Sequence, residues 1–574
     1  MSQRTVRTFT LILLAGGAAL AAAGATSRPQ AMLAPLNPDY VRYLGDLRAG
    51  RVPAQVPGLL IPSPQDISHL NGMVPFVASA LPAVYDLRVL NKMTPVRNEG
   101  SAGGSPAFAA LASLESFLEP LETWDFSEHH LFSSIQFSSL QSSLYLESVV
   151  GALARWDDPV RESDDPWPTA DGVGVSTVKH VQNVTFIPPR TGPLDNDSLK
   201  QAIMDGGALY AEMEFVDPLY NQAYAAYYDA ATDENHKRAV ALAGWDDNFD
   251  RTKFNPQPPG NGAFICKNSR GPAWGSAGYF YVSYYDGFLA RRNFSAAFKA
   301  EPASGYTVNY QYDPNGCTTR LGFGTETAWF ANVFTATTSD PLTAVAFYTY
   351  TPSASYDVTV YKNPAPGHPQ SGTGVVHVTG TLIDPGYATI PLKASIPLLP
   401  NDRFSVVVKL QTTGDLSPVP LEHPVTGSTG VFTANPGEGF ISADGAEWND
   451  LTTYDGTTYA KTSLCLKAFA GYAPIYPPAS LKVERLTNNF FFFKEYVDKL
   501  SWAANPDNIE APVKYRIYQK TQGQAGADFQ YLGETAANSL FYFVRAVKNT
   551  DSFIYRVTAV MADGREGDPA EVSI

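Results

Sequence analysis

The spacing of hydrophobic and polar residues changes character along the chain and divides it into stretches. Phe9 to Leu14 and the alanines after it make a short apolar run behind Arg4 and Arg7. From Ala31 to Ala80 the chain is Pro-rich and mixed, and only Tyr40 to Leu47 carries a pattern that predicts a helix. Ala107 to Leu118 is apolar on more than one face, which predicts a helix buried between layers. Ala239 to Trp245, Ala263 to Asn268 and Gly278 to Tyr285 predict strands, with a Pro/Gly loop from Pro256 to Gly262 after the first. After Tyr306 the period becomes two: Tyr356, Val358 and Val360 share one face of a strand, and Phe404, Val406, Val408 and Leu410 one face of another. Beyond the stiff Pro-rich stretch Ala473 to Pro478, short strands at Leu481 to Val483, Leu500 to Trp502, Tyr515 to Tyr518 and Tyr555 to Val560 follow at the spacing of a small β-sandwich.

Length turns these stretches into domains. A chain of 574 residues exceeds what one core can organise, so about three domains are expected. With 44% hydrophobic and 17% charged residues, there is enough apolar material for globular structure throughout. The net charge of −15 argues against a nucleic-acid surface, which needs clustered Lys and Arg. Arg4 and Arg7, the apolar run and the small residues Ala21 to Ala25 read as a secretory signal peptide over residues 1–25, and no later segment is apolar enough to span a membrane. Export permits disulfides, but only Cys266, Cys317 and Cys465 exist, so this is no disulfide scaffold. Cys317 and Cys465 fall in the same all-β stretch, where sequence separation cannot test their geometry.

The candidate chemistry lies in Asn98-Glu99-Gly100-Ser101-Ala102-Gly103-Gly104-Ser105-Pro106-Ala107-Phe108. This run resembles the active-site segment of papain-like cysteine peptidases, N-Q-G-S-C-G-S-C-W-A-F. Further stretches resemble other segments of that family, namely Tyr85-Asp86-Leu87-Arg88, Ser127-Glu128-His129-His130-Leu131, Gly244-Trp245-Asp246-Asp247 and Cys266-Lys267-Asn268-Ser269-Arg270-Gly271, and Val178 to Asn183 through Pro189 also follows its bacterial branch. The resemblance implies a papain-like domain over residues 81–300, preceded by a leader or propeptide-like segment over 26–80. Ala328 to Phe334, Asp402 to Lys409 and Asn435 to Ser442 are similar to the lectin-like β-sandwich of the same branch, placed at 305–471. After the linker at 472–478, residues 479–574 resemble a fibronectin type III module, with Trp502 and Tyr555 at core positions. The expected fold is thus an α+β papain-like domain followed by two all-β sandwiches.

The resemblance places four positions. Ser105 stands at the nucleophile, Glu99 at the oxyanion glutamine, Arg238 at the histidine and Asn268 at the orienting asparagine. A serine hydroxyl without an adjacent base stays protonated, and arginine cannot act as that base. An ionised carboxylate is an acceptor, so Glu99 would oppose a developing oxyanion. Ser105 before Pro106 is expected to cap the helix, Asn268 to bond neighbouring backbone, and Glu99 to pair with Arg238. His236, two residues before Arg238, is the alternative base, about 6.5 Å along a regular strand. Arg270 replaces the tryptophan that shields the asparagine in relatives. Asp246 to Asp250 lacks a calcium-loop pattern, and His129 and His130 lack a ligand set for zinc, so no metal and no cofactor is expected.

The expected function is that of a secreted or cell-surface papain-like cysteine peptidase homologue without activity, acting as a peptide-binding, scaffolding or adhesion protein. One rival is an atypical endopeptidase using Ser105; the other is a glycan-binding surface protein acting through the lectin-like domain. The partners considered are polypeptide and surface glycan, without nucleic acid or a stable membrane span after signal cleavage.

Overall fold

The computed structural model describes residues 29–51, 60–70, 81–120, 122–135, 144–168, 174–231, 237–303, 305–425, 431–472, 475–489, 494–506, 508, 510–522, 529–562 and 564–574. The expected signal peptide at 1–25 lies outside them, as does His236. Among the described residues no helix is long and apolar enough to cross a membrane.

Five helices are described: α1 (Pro38–Arg48), α2 (Ser105–Leu118), α3 (Glu128–Ser134), α4 (Leu146–Ala154) and α5 (Asp197–Gly206). Helix α2 is buried at every position except Phe117, as a pattern apolar on more than one face predicts. It packs on strands Lys237–Asp246, Ser295–Pro302 and Leu209–Glu214. The predicted strands of this part form as Lys237–Asp246, Ala263–Lys267 and Tyr279–Ser283. The Gly-Trp-Asp-Asp turn is fixed from several sides. Trp245 is fully buried, stacks on Tyr85 at 5.1 Å and donates from its indole N–H to the Pro82 carbonyl at 2.9 Å. Asp247 accepts from the Lys200 ammonium and the Tyr284 hydroxyl, each at 2.6 Å.

In the following all-β part the period-two faces meet across a ladder: Val358 pairs with Val408, Val360 with Val406 and Tyr356 with Leu410. These strands belong to a six-stranded sheet whose inner face packs against Leu342–Thr349, Gly386–Ile396 and Leu466–Gly471. Those three strands are continuous with the α+β part. One thirteen-stranded sheet runs through both, because Gly386 and Tyr387 pair with Thr185 and Val184 of strand Lys179–Ile187. Gly386 has φ +144°, and a Cβ there would lie 1.9 Å from the Val184 carbonyl oxygen. Gly386→Ala is therefore expected to cost about 3 kcal/mol or more, from strain and backbone overlap, and a thermal melt of the full chain checks it.

The N-terminal segment crosses this junction as a strap. Met32 and Leu33 pair with Gly322 and Leu321. Helix α1, with Asn37 capping the Asp39 N–H, rests Tyr40 and Leu44 on Ile61 and Tyr145. Ser63 donates to the buried Glu147 carboxylate at 2.8 Å, and the Gln65 amide donates to the Cys317 carbonyl at 3.3 Å. Arg320 donates to the Gln65 side chain, to the Asp66 carbonyl and to Asp415.

Residues 479–573 form a separate pair of sheets, of three and four strands. Trp502 and Tyr555 are both buried between them. The Tyr555 hydroxyl donates to Asp498 at 2.6 Å, and Arg485 grips the same carboxylate at 2.7 and 2.8 Å. Tyr476 ties this unit back to the α+β part through Glu301, at 2.7 Å.

Candidate functional site

The site is built where the start of α2 meets the edge of strand Lys237–Asp246. Strand Ala263–Lys267 pairs with that strand only from Ala241 onward, so its earlier N–H groups on this side have no ladder partner. Ser105 supplies one: the Ala239 N–H donates to its Oγ at 3.1 Å. The cap expected of Ser105 is not made. Gly104 caps the helix instead, at φ +110°, and Ser105 is the first helical residue with its hydroxyl turned to the strand. No hydrogen bond joins Ser105 to an imidazole among the described residues.

One residue before Ala239, the Arg238 side chain reaches Glu99 Oε1 at 2.6 Å and Ser269 Oγ at 3.2 Å. The pair is nearly enclosed, with side-chain exposures of 10% and 12%. The expected Glu99–Arg238 contact is thus present. Burial pulls the guanidinium pKa down while the Glu99 carboxylate holds it up, and arginine's intrinsic basicity keeps the group charged. The Glu99 N–H donates to the Ser269 carbonyl at 2.8 Å, which sets Glu99 beside the segment that follows strand Ala263–Lys267 and carries Asn268. Asn268 is buried; its Oδ1 accepts from the Ser269 N–H at 2.9 Å, the neighbouring-backbone bond anticipated for it, and its Nδ2 has no partner among the described residues. Arg270 points outward to Asp217 at 3.0 Å, with its guanidinium 4.7 Å from the Phe215 ring.

Trp167 was not anticipated. Its ring meets Phe108 edge-on at 4.9 Å and Phe132 at 5.9 Å, and its indole N–H donates to the Glu99 carbonyl at 3.2 Å. A Cβ on Gly104 would lie 2.9 Å from that ring, so the cap glycine is required by packing as well as by φ. Asp165, on the same loop, supplies a carboxylate that the reading of His129 and His130 lacked. Both histidines contact it through Nδ1 at 2.9 Å. Among the described residues no group of three His, Cys, Asp or Glu side chains is arranged to hold a metal.

Beneath α2 lies a cavity of about 20 Å³, walled by Glu115, Glu128, Lys267 and Asn268 among others, which is room for a single water. Thr94 links the buried charges here, accepting from Lys267 at 2.9 Å and donating to Glu115. Glu128 is pushed up to about 8, first by burial and then by Glu115. Its folded pKa is above its unfolded value, so its contribution is complete at low pH and is lost as pH rises toward 8. Between pH 6.5 and 8 the chain is expected to lose about 1.5 kcal/mol through this group, a loss that Glu128→Gln removes in melts across that range. His180 acts in a lower window: burial takes it down to about 4, so its penalty grows only as pH falls below 6.5.

Two family models match the chain. Residues 81–290 match the papain family cysteine protease, and residues 309–470 match the lectin-like domain. The chain carries a papain-like domain and a lectin-like domain. Among relatives, Cysteine proteinase 2 of Entamoeba histolytica is 25% identical over 36% of this chain and 66% of its own length, just short of two thirds. Cathepsin K of Gallus gallus is 24% identical over 42% of this chain and 71% of its own. Among solved structures, the cysteine protease and lectin-like domains of Cwp84, a surface layer associated protein of Clostridium difficile, superpose with a TM-score of 0.65. That match has 24% identity and covers 77% of this chain and 98% of the other. A second structure of Cwp84, a variant after propeptide cleavage, gives 0.59, at 24% identity over 68% of this chain and 99% of the other. In this chain the papain-like match, at 81–290, precedes the lectin-like match, at 309–470.

Proposed function

We propose that the papain-like domain of this protein does not hydrolyse peptide bonds and serves as a polypeptide-binding or scaffolding module of a secreted or surface protein. In this reading Ser105, Arg238, Asn268 and Glu99 occupy the nucleophile, histidine, asparagine and oxyanion-glutamine positions. The buried Glu99–Arg238 pair carries the proposal. It puts a permanent cation where a base must accept a proton and a carboxylate where a hydrogen-bond donor is needed. Ser105 is meanwhile engaged as an acceptor from Ala239. The surface assignment is supported by the likeness to the surface layer associated protein, and the reading of residues 479–574 as fibronectin type III-like by the buried Trp502 and Tyr555.

The test is turnover of a broad peptide library by the purified full chain, beside Ser105→Ala. Equal, background-level cleavage by both is expected. Cleavage by the wild type that Ser105→Ala abolishes would overturn the proposal.

A further inference from the structure

A cavity of about 300 Å³ lies where the two domains share one sheet, and neither Ser105, Glu99 nor Arg238 lines it. Three walls bound it. Ser198, Ala202 and Asp205 recur at i, i+4 and i+7, which puts them on one face of α5. Thr185 pairs with Ala297 on the neighbouring strand and Lys299 stands two residues beyond, so all three leave the sheet on the same side. The third wall comes from the lectin-like domain: Ile383 and Asp384, in the turn between strands Thr373–Leu382 and Gly386–Ile396. That turn is pinned to the papain-like domain, because the Phe186 N–H donates to the Pro385 carbonyl at 2.8 Å.

The polar groups of these walls are not spent on one another. Among the described residues Lys299 and Asp384 make no ion pair and no side-chain hydrogen bond, and the Lys299 ammonium has only the Phe117 ring, 5.9 Å away. The Thr185 and Ser198 hydroxyls are equally uncommitted there. Asp205 accepts from the Gln201 amide of its own helix at 2.9 and 3.0 Å, which leaves its charge without a counter-ion. The cavity thus offers one ammonium, two carboxylates, two hydroxyls and the apolar surface of Ala202, Ala297 and Ile383. Its volume is at the small end of ligand pockets, about 300–1,000 Å³. A lone anion would meet two carboxylates and a lone cation would meet Lys299, whereas a neutral sugar would leave every charge unpaired. A small molecule carrying both charges satisfies all three groups. We propose that this cavity binds a free dipeptide with apolar side chains. Its α-ammonium meets Asp384 and Asp205, its α-carboxylate meets Lys299 and the two hydroxyls, and its side chains rest on the apolar surface. The site is independent of the Ser105 cleft and is completed only when the lectin-like turn is docked.

The experiment titrates the full chain with Leu-Leu in a calorimeter, beside the same dipeptide blocked as its N-acetyl form or as its C-terminal amide. Leu-Leu is expected to bind, and either block to weaken it about tenfold or more, the effect of losing one charge-assisted contact. Asp384→Asn should weaken Leu-Leu by a similar factor and abolish the preference for a free ammonium. Lys299→Gln should do the same for the free carboxylate. Asp384 is exposed and Lys299 half-buried, so neither change disturbs the core; were a variant to misfold, the blocked peptides on the wild type still decide. No binding of Leu-Leu, or blocked forms that bind as tightly as the free one, would overturn the proposal. So would binding that both variants retain in full, which would place the dipeptide elsewhere, as in the Ser105 cleft.

Discussion

Glu99→Ala is expected to destabilise the papain-like domain by about 3–5 kcal/mol, although Glu99 touches no large hydrophobic core. The reason is its partner. Arg238 is 10% exposed at the side chain, its Nε has no hydrogen-bond partner among the described residues, and beyond Glu99 it bonds only the Ser269 hydroxyl there. Removing the carboxylate leaves a guanidinium out of water without a counter-charge, and arginine cannot relieve this by losing a proton. Arg238→Ala should cost a comparable amount by stranding Glu99. Replacing both residues with apolar ones of similar volume should recover most of the loss. Urea unfolding of the four chains closes a double-mutant cycle, and a coupling below about 0.5 kcal/mol would contradict the structure.

Loss of the N-terminal strap should be larger still. A chain lacking residues 29–70 is expected to show no cooperative thermal transition in the papain-like and lectin-like domains. Ser63, Gln65, Leu60 and Leu70 are each 4% exposed or less, so removing them uncovers core on both sides of the junction. Glu147 would lose the Ser63 hydroxyl, and Arg320 would lose both the Gln65 side chain and the Asp66 carbonyl. Buried polar groups stripped of partners cost about 1–3 kcal/mol each, more when charged. A milder variant, Ser63→Ala, isolates one of these and should cost about 1–2 kcal/mol. Near-UV circular dichroism during heating measures both. A truncated chain that melts within a few degrees of the full one would show the strap to be dispensable.

The strap bears on the leader expected at 26–80. Its described residues are held by the lectin-like domain and by α4, through Gly322, Arg320, Tyr454 and Glu147. What reads in sequence as a segment preceding the domain acts here as a structural element of the junction.

Much of this protein was legible in its sequence, because some patterns have only one physical solution. A run apolar on more than one face, as in Ala107 to Leu118, is satisfied by an enclosed helix, and the alternation at Tyr356 to Val360 and Phe404 to Leu410 by strands with one covered face. Opposite charges at Glu99 and Arg238 announced a pair because neither could be buried alone. Tertiary structure decided the rest, since the relevant partners are distant in sequence. Ser105 gave up capping because strand Ala263–Lys267 stops short and leaves the Ala239 N–H open, a matter of where two strands end. Trp167 over Gly104, Asp165 between two histidines, and Gly386 against Val184 depend on loops and ladders whose register only packing fixes. Local pattern thus determined the elements and the charges, and the non-local closure of one sheet through both domains decided what those groups touch.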